Sequence, residues 1–262
     1  MRLILVAAVL ALASSATPAW AFDHSHGLLA EVLQAHVRAG RVDYAGLQRQ
    51  PHSLRRYRDQ IAALTPADLA GFSRSQQLAL WINIYNAGVL ASIVDNYPLS
   101  RGSLTGLAFP SNSIWQIPRV FKRKSHGVAG VAYSLDAIEH EILRPNFREP
   151  RLHMALVCAA RSCPPLRSEP YRAEILDAQL NDQARQFLGD RQRGLQIDRE
   201  SRRIEVSAIF KWFGEDFAAG KDQTRGVLNF ISQHVDAKTR LELASMRQPR
   251  IVYLDYDWTL NE

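Results

Sequence analysis

The sequence predicts a single α+β domain in which a buried central helix packs on a small mixed or antiparallel sheet. Apolar residues recur at helical spacing through the first half of the chain, whereas short strand patterns separated by turn residues occupy the second half. This segregation favours α+β over a regular doubly wound sheet. No Pro/Gly/Ser-rich linker and no internal repeat divides the 262 residues, which are enough to bury one sizeable core.

The first predicted elements are helices. Apolar residues between positions 28 and 37 predict an amphipathic helix that stops near Gly40, and a polar helix follows at about 53–64. Thr65-Pro66 begins a further short helix, because proline is tolerated in the first turn, where its missing amide is harmless.

Residues 73–96 carry the longest helical pattern, and their apolar side chains lie on nearly all sides of the helix, which is typical of a central, buried one. Asn83 and Asn86 lie three residues apart and therefore share a face. Two buried amides need hydrogen-bond partners. They either tie neighbouring loops to the core or line a site, and we retain both as candidate substrate-binding residues.

The second half of the chain mixes short strands and helices. Residues 121–124 and 128–133 flank Ser125-His126-Gly127 and predict a hairpin with His126 in a solvated turn. The other predicted elements are a helix at 135–143 capped by Ser134, a buried strand at 152–157, a helix at 171–188, a hairpin of 195–198 and 203–206, a short helix after Ser207, a helix at 226–235 and a terminal strand at 250–258.

The first 21 residues have the composition of a secretory signal peptide, with Arg2, an apolar run, and small residues ending in Ala21. We expect cleavage after Ala21 and a periplasmic or secreted protein. No later run reaches about 18 apolar residues, so we expect no membrane span. The rest of the chain divides into an N-terminal helical segment, 22–72, and a core, 73–262, which form one compact unit.

The formal net charge of +6 is mildly basic, and the basic residues are scattered without interleaved aromatics, which argues against nucleic-acid binding. A basic surface suits an acidic envelope partner. No Cys/His/carboxylate cluster has zinc spacing, so we expect no metal and no cofactor. Cleavage after Ala21 would expose Phe22-Asp23-His24, whose nitrogens can bind Cu(II) or Ni(II), although any exposed tail can hold such histidines.

Residues 152–166 contain both cysteines of the chain. Cys163 follows the strand predicted at 152–157, and loops that leave strands often carry reactive groups. As a free thiol it is the best nucleophile candidate, and Arg161 can lower its pKa if the side chains converge. A Cys158–Cys163 disulfide is the alternative, because exported cysteines are often oxidised, and it would make Cys163 inert.

Two histidines are candidate bases for such a thiol. His140 follows Glu139 on the short predicted helix, where it is either a base or a surface histidine in an acidic patch. His153 precedes Cys163 by ten residues, so contact between them requires the chain to turn back. The alternative for His153 is a core histidine bonded to a backbone carbonyl.

Four segments, in order, resemble one family. They are residues 80–87 (LWINIYNA), 134–140 (SLDAIEH), 153–165, and 209–213 (IFKWF) with the closing 256–261 (YDWTLN). Together they resemble the domain of unknown function 547, found in exported bacterial proteins and in plant and nematode proteins, over roughly residues 76–261.

A further resemblance, to papain-like or transglutaminase-like cysteine enzymes, implies a role for several of these residues. It implies Cys163 as nucleophile, His140 or His153 as base, Glu139 as an orienting group and Asn83 or Asn86 as an amide donor. The central helix departs from a papain pattern because it carries no cysteine.

The predicted function is a cysteine-nucleophile hydrolase that acts on an amide, peptide or γ-glutamyl bond of a small molecule or peptide. The alternative is a non-catalytic periplasmic domain with bridged cysteines that binds an envelope partner or small ligand through loops around Trp115, Trp212 and Trp258. The candidate site residues are Cys163, His140, His153 and Glu139 for catalysis and Asn83, Asn86 and Arg161 for substrate binding.

Overall fold

The computed structural model describes residues 22–100, 104–218, 220, 222–246 and 249–262, so the predicted signal peptide lies outside the described residues. The described elements, in chain order, are α1 (Gly27–His36), β1 (Val37–Arg38), β2 (Arg41–Val42), α2 (Tyr44–Arg49), α3 (His52–Ala62), α4 (Pro66–Gly71), α5 (Arg74–Val94), β3 (His126–Val128), β4 (Val131–Tyr133), α6 (Leu135–Ala137), a π helix (Ile138–Leu143), α7 (Arg144–Phe147), α8 (Leu152–Ala155), α9 (Leu176–Gly189), β5 (Leu195–Asp198), β6 (Arg203–Val206), α10 (Ile209–Trp212), α11 (Gly214–Ala218), α12 (Gln223–His234), α13 (Ala237–Ser245) and β7 (Arg250–Tyr253). Short 3-10 helices lie at Leu104–Ala108, Ile114–Gln116 and Ala173–Ile175.

The predicted single α+β domain is confirmed. Local sequence signals fix the starts of two helices. The side chains of Thr65 and Asp68 form a reciprocal capping box at the start of α4, and Ser73 and Gln76 form another at the start of α5. Because each box satisfies otherwise unpaired amides, these helices begin where the sequence predicts.

Helix α5 is the centre of the fold. It is long and apolar enough to cross a membrane by length and composition, but 94% of that apolar window is buried inside the protein, as in a core helix. Leu80 and Ile82 are 0% exposed. Burying a side chain of this size contributes roughly 1.5–3 kcal/mol, so a helix buried on all sides contributes strongly to stability.

The predicted packing of the central helix on a sheet differs from the structure, in which the main neighbours of α5 are α2, α3, the π helix and the 3-10 helix Ala173–Ile175. The three-stranded sheet has the order β5-β6-β7, with β5 antiparallel and β7 parallel to β6, and is therefore mixed as predicted. It packs in a second hydrophobic cluster with α9 to α12. Four-residue strands are too short to cover a helix that is apolar on every side.

Two local predictions are wrong. Residues 152–157 do not form a strand: α8 ends at Ala155 and an extended stretch follows. A short apolar run cannot by its pattern be assigned to helix or strand. In the predicted hairpin the turn lies at Ala129-Gly130, where both residues have positive φ, rather than around His126, which is in strand β3 and buried.

Residues 135–147 form one continuous helix with a π segment in its middle. Pro145 lacks an amide hydrogen, which disturbs the regular α-helical hydrogen-bond pattern one turn before it. Single π turns inside α-helices are frequent at functional sites. Here the π segment carries Glu139 and His140, and α7, which follows it, carries Arg144.

Candidate active site

A cavity of about 410 Å³ is lined by members of both hydrophobic clusters. Its wall combines chemically reactive groups with aromatic rings. The polar and sulfur-containing lining residues are Arg119, Lys122, Asp136, Glu139, His153, Cys158 and Cys163. The aromatic lining residues are Tyr85, Trp115, Phe121, Trp212, Phe213, Tyr256 and Trp258.

The C-terminal segment holds the cysteine loop against this cavity. Ala159 has a left-handed backbone (φ 62) that turns the chain after Cys158. The Arg161 N–H donates to the Thr259 carbonyl at 2.8 Å, and the Ser162 N–H donates to the Asp257 carbonyl at 3.2 Å. The predicted terminal strand therefore ends early, at Tyr253, because the residues after it fix the loop instead.

Cys158 and Cys163 form a disulfide. Cys163 is only 2% exposed, whereas Cys158 is partly exposed. The Sγ of Cys163 accepts hydrogen bonds from the Cys158 N–H and from the Tyr256 hydroxyl, each at 3.1 Å. The same hydroxyl lies 3.4 Å from the Sγ of Cys158. Two donors therefore already point at the sulfur of Cys163.

His153 is paired with a carboxylate that the sequence did not suggest. Its Nε2 lies 2.7 Å from Oδ2 of Asp216 on α11. Arg144 donates two hydrogen bonds to the same carboxylate, from Nε at 2.6 Å and from Nη2 at 3.0 Å. Phe213 stacks on the imidazole with a centroid separation of 4.1 Å, and the Arg144 guanidinium lies over the Phe213 ring, 5.2 Å from its centroid. These contacts fix the ring plane of His153.

The protonation states follow from these surroundings. Burial raises the pKa of Asp216, but hydrogen bonds from His153 and Arg144 outweigh burial, so the net pKa is well below its usual range. Burial lowers the pKa of His153, and Asp216 offsets only part of that effect. His153 is therefore neutral near pH 7 and its Nε2–H donates to Asp216, which leaves Nδ1 as the acceptor. Among the described residues Nδ1 has no hydrogen-bond partner, so it can act as a base.

Glu139 makes no hydrogen bond to His140 or His153 among the described contacts. It lies in the cavity wall, where burial raises its pKa to about 7 and a hydrogen bond from Tyr85 partly offsets burial. The carboxylate that contacts His153 is instead that of Asp216. A carboxyl group that is half protonated near neutral pH can donate or accept a proton in the cavity.

The two candidate bases differ in their position relative to the cavity. His140 is exposed, does not line the cavity, and accepts a hydrogen bond at Nδ1 from Arg144 at 2.9 Å. Burial of its ring and the nearby Arg144 charge lower its pKa. His140 thus contacts the ion pair from outside, whereas His153 faces the cavity. Arg161 is exposed and is also absent from the cavity lining.

The side-chain amides of Asn83 and Asn86 bind backbone groups and so tie neighbouring loops to the core, which is one of the two roles that the sequence allows. Asn83 donates to the Tyr171 carbonyl at 2.8 Å and accepts from the Tyr171 N–H at 2.9 Å. Asn86 donates to the Ala155 carbonyl at 3.0 Å and accepts from the Val157 N–H at 3.0 Å. Both amides are thus occupied, and Asn86 positions the segment between His153 and the cysteines.

Three residues that contact the candidate site were not predicted from the sequence: Asp216, Arg144 and Tyr256. Asp216 stands three residues after the 209–213 segment, and Tyr256 opens the closing segment, but neither spacing indicates contact with residues about 60 or 90 positions earlier. Only Arg144 could have been placed from its spacing, because it lies four residues after His140 on one helix and residues at that spacing are neighbours.

No group of three His, Cys, Asp or Glu side chains that could hold a metal ion occurs among the residues that the structure describes. The described cavity wall offers a sulfur pair, the imidazole of His153 with its carboxylate partner, the carboxyl groups of Asp136 and Glu139, and phenol hydroxyls.

Residues 69–188 match the model of a family described as protein of unknown function, DUF547, and this segment belongs to that family. The resemblance seen in the sequence is confirmed over this range, which contains Glu139, His153 and both cysteines; Asp216 and Tyr256 lie beyond it. No curated protein matches the chain, and no solved structure matches it.

Proposed function

We propose that this chain, whose residues 69–188 form a DUF547 segment, is a cysteine-dependent hydrolase of an amide, peptide or γ-glutamyl bond. Cys163 in its thiol form is the nucleophile, His153 is the base, and Asp216 orients His153. The observation that carries the proposal is that a neutral imidazole held by a carboxylate lines the same cavity as a sulfur that already accepts two hydrogen bonds.

The reaction uses each group in turn. Nδ1 of His153 takes the proton of the Cys163 thiol, and the thiolate attacks the carbonyl carbon to form a carbon–sulfur bond. His153 returns the proton to the nitrogen of the departing amine as the carbon–nitrogen bond breaks. Water, deprotonated by His153, then adds to the thioester carbonyl, and the acid leaves as the Cys163 thiol is restored. Acid–base help of this kind typically contributes roughly 10²–10⁴-fold.

Two donors support the charged stages of this reaction. The Cys158 N–H and the Tyr256 hydroxyl hydrogen-bond to the Cys163 sulfur, which favours the thiolate over the thiol. Asp216 stays ionised beside Arg144 and stabilises the imidazolium that forms when His153 takes the proton. The arrangement of imidazole and carboxylate follows the same logic as other nucleophile–base–carboxylate sites.

The cavity walls suit a substrate with apolar surface next to its scissile bond. Trp115, Trp212 and Trp258 lie in the wall, and rings of the pairs Trp115–Trp258 and Trp212–Trp258 are 5.6 and 5.8 Å apart. Such rings bury large areas on binding. The predicted leader, residues 1–21, supports a reaction outside the cytoplasm, and we propose peptides and amides of the cell envelope as the substrate class.

The test is hydrolysis by the mature protein, reduced with a dithiol, of a panel that includes a γ-glutamyl anilide, short peptides and simple amides. Cys163→Ala should abolish hydrolysis, and His153→Ala should abolish it or nearly so. The matched control is His52→Ala, which changes an exposed histidine on α3 that does not line the cavity and should retain full activity. Retention of activity by Cys163→Ala on every hydrolysed substrate contradicts the proposal.

The second candidate is a binding domain without catalysis, which the bridged cysteines and the tryptophan-lined cavity favour. In that case a peptide or small ligand binds on the three tryptophans, and the disulfide only shapes the wall. Tryptophan fluorescence titrations with the same panel separate the two candidates. Binding that is equal in wild type and Cys163→Ala, together with no covalent adduct to an electrophilic amide probe after reduction, supports the binding domain.

A further inference from the structure

We propose that the Cys158–Cys163 disulfide is a redox gate, in which an external dithiol attacks the sulfur of Cys158 and thereby releases Cys163 as the active nucleophile. The gate regulates the hydrolase site proposed above and rests on that proposed function. Its chemical mechanism, however, stands on the surroundings of the two sulfurs, which can be tested without any hydrolytic activity.

The two sulfurs differ in access. Cys163 is 2% exposed and is held inside the loop between the cavity and the C-terminal segment. Cys158 is partly exposed and lines the cavity. An incoming thiolate must approach the sulfur that it attacks, so access selects Cys158.

The two sulfurs also differ as leaving groups. The Cys158 N–H and the Tyr256 hydroxyl both donate to Sγ of Cys163 at 3.1 Å. Donors of this kind stabilise a thiolate, and a stabilised thiolate leaves faster in exchange. Access and leaving-group stability therefore select the same direction, attack at Cys158 with departure of Cys163.

The exchange balances with an external dithiol as reductant. Its first thiolate forms a bond to Sγ of Cys158, the Cys158–Cys163 bond breaks, and its electron pair remains on Sγ of Cys163. The second thiol of the reductant, as its thiolate, then attacks the mixed disulfide and releases Cys158, which takes up a proton from water. The reductant is oxidised to its disulfide by two electrons, and the cysteine pair is reduced by two.

The loop does not depend on the disulfide for its position. Backbone hydrogen bonds join Arg161 to Thr259 and Ser162 to Asp257, and the Ser162 hydroxyl accepts from the Asp257 N–H at 2.9 Å. An isolated bridge also pairs Ala160 with Leu260. After reduction Cys163 therefore stays beside the cavity, where the thiolate can react and from which the disulfide can form again.

The first experiment maps the attacked sulfur. The oxidised mature protein is mixed with limiting glutathione, quenched in acid, and alkylated with N-ethylmaleimide. Trypsin cuts after Arg161, which separates the two cysteines into peptides 152–161 and 162–167. We expect glutathione on the Cys158 peptide and the alkyl group on the Cys163 peptide. Glutathione mainly on Cys163, free thiols in the protein before treatment, or no exchange in the folded state even with excess dithiol overturns the gate.

The second experiment links exchange to activity. Wild type should hydrolyse substrate only after reduction, whereas Cys158→Ser, which cannot form the bridge, should be active with or without reductant; thermal melts verify that both are folded. Activity of wild type while mapping shows the bridge intact overturns the gate. If neither protein is active under any condition, the proposed hydrolase fails, and the mapping experiment alone decides whether the sulfurs exchange as proposed.

Discussion

Replacing Asp216 by asparagine keeps the size of the side chain and removes the charge that His153 and Arg144 both contact. In the protein the carboxylate accepts three hydrogen bonds, from Nε2 of His153 at 2.7 Å and from Arg144 at 2.6 and 3.0 Å. The amide nitrogen of asparagine is a donor, so it cannot accept from any of these groups. After the substitution, the amide N–H of asparagine therefore faces an N–H of His153 or Arg144 in at least one of the three contacts, and that hydrogen bond is lost.

The expected loss of activity follows from the tautomer of His153. Asp216 holds the proton on Nε2 and leaves Nδ1 free, whereas asparagine can offer its amide N–H to Nε2 and stabilise the wrong tautomer. The imidazolium also loses its stabilising charge. We expect kcat/KM to fall about 10²–10⁴-fold, which is about 3 to 5 kcal/mol of transition-state stabilisation.

The same substitution destabilises the fold by less. The side chains of Arg144 and Asp216 are 27% and 26% exposed, so solvent screens their two hydrogen bonds. We expect a loss of about 2 kcal/mol in the free energy of unfolding at pH 7. Because folding depresses the pKa of Asp216 below its ordinary value of 3.8, this stabilisation is present above pH 3.8 and is lost as the pH falls further.

Two assays test this prediction together: steady-state hydrolysis by the reduced protein, and urea unfolding between pH 7 and pH 3. Glu215→Gln is the matched control, because it removes the neighbouring, exposed carboxylate of the same helix. Wild-type kcat/KM in Asp216→Asn refutes the orienting role. A stability difference that stays constant down to low pH refutes the role of the charge.

Three further substitutions have defined outcomes. Glu139→Gln should remove a pH dependence of stability, because burial raises the pKa of Glu139 from 4.5 to about 7. As the pH rises between these values, the free energy of unfolding of wild type should fall by about 2–3 kcal/mol relative to that of the variant. Parallel stability curves of the two proteins from pH 4 to pH 8 contradict this. Tyr256→Phe removes one donor to the sulfur of Cys163. Alkylation of Cys163 in the reduced protein at pH 7 should therefore slow about 5- to 10-fold, corresponding to about 1 kcal/mol. An unchanged rate shows that the hydroxyl does not stabilise the thiolate. Asn86→Ala leaves the Ala155 carbonyl and the Val157 N–H without their side-chain partner. The free energy of unfolding in urea should fall by about 2–4 kcal/mol. A loss below about 0.5 kcal/mol contradicts a backbone-binding role.

The sequence was most informative where local chemistry decides the structure. Capping residues set the starts of α4 and α5, and alternating residues gave strands β5 and β6 with the bounds that the structure has. The all-round apolar pattern of residues 73–96 identified the central helix. Such features depend on neighbours within a few positions, which a single sequence contains.

The candidate site was recovered only in part because its contacts are distant along the chain. Cys163 and His153 were proposed from sequence and line one cavity. The partner of His153, Asp216, comes from α11, and the hydroxyl donor to Cys163, Tyr256, comes from the C-terminal segment; both positions depend on how the second hydrophobic cluster packs. The short run 152–157 could not be assigned from its pattern, and its true form, a turn of helix, is what carries His153.

Covalent labelling of the fully reduced, folded protein by an electrophilic amide probe, with tryptic mapping and rates measured from pH 5 to pH 9, tests most directly whether His153 activates Cys163. We expect rapid labelling of Cys163 near neutral pH, slow labelling of Cys158, and loss of the rapid reaction in His153→Ala with no change in His52→Ala. Labelling of the two cysteines at equal rates, or a Cys163 rate that His153→Ala leaves unchanged, would contradict this activation.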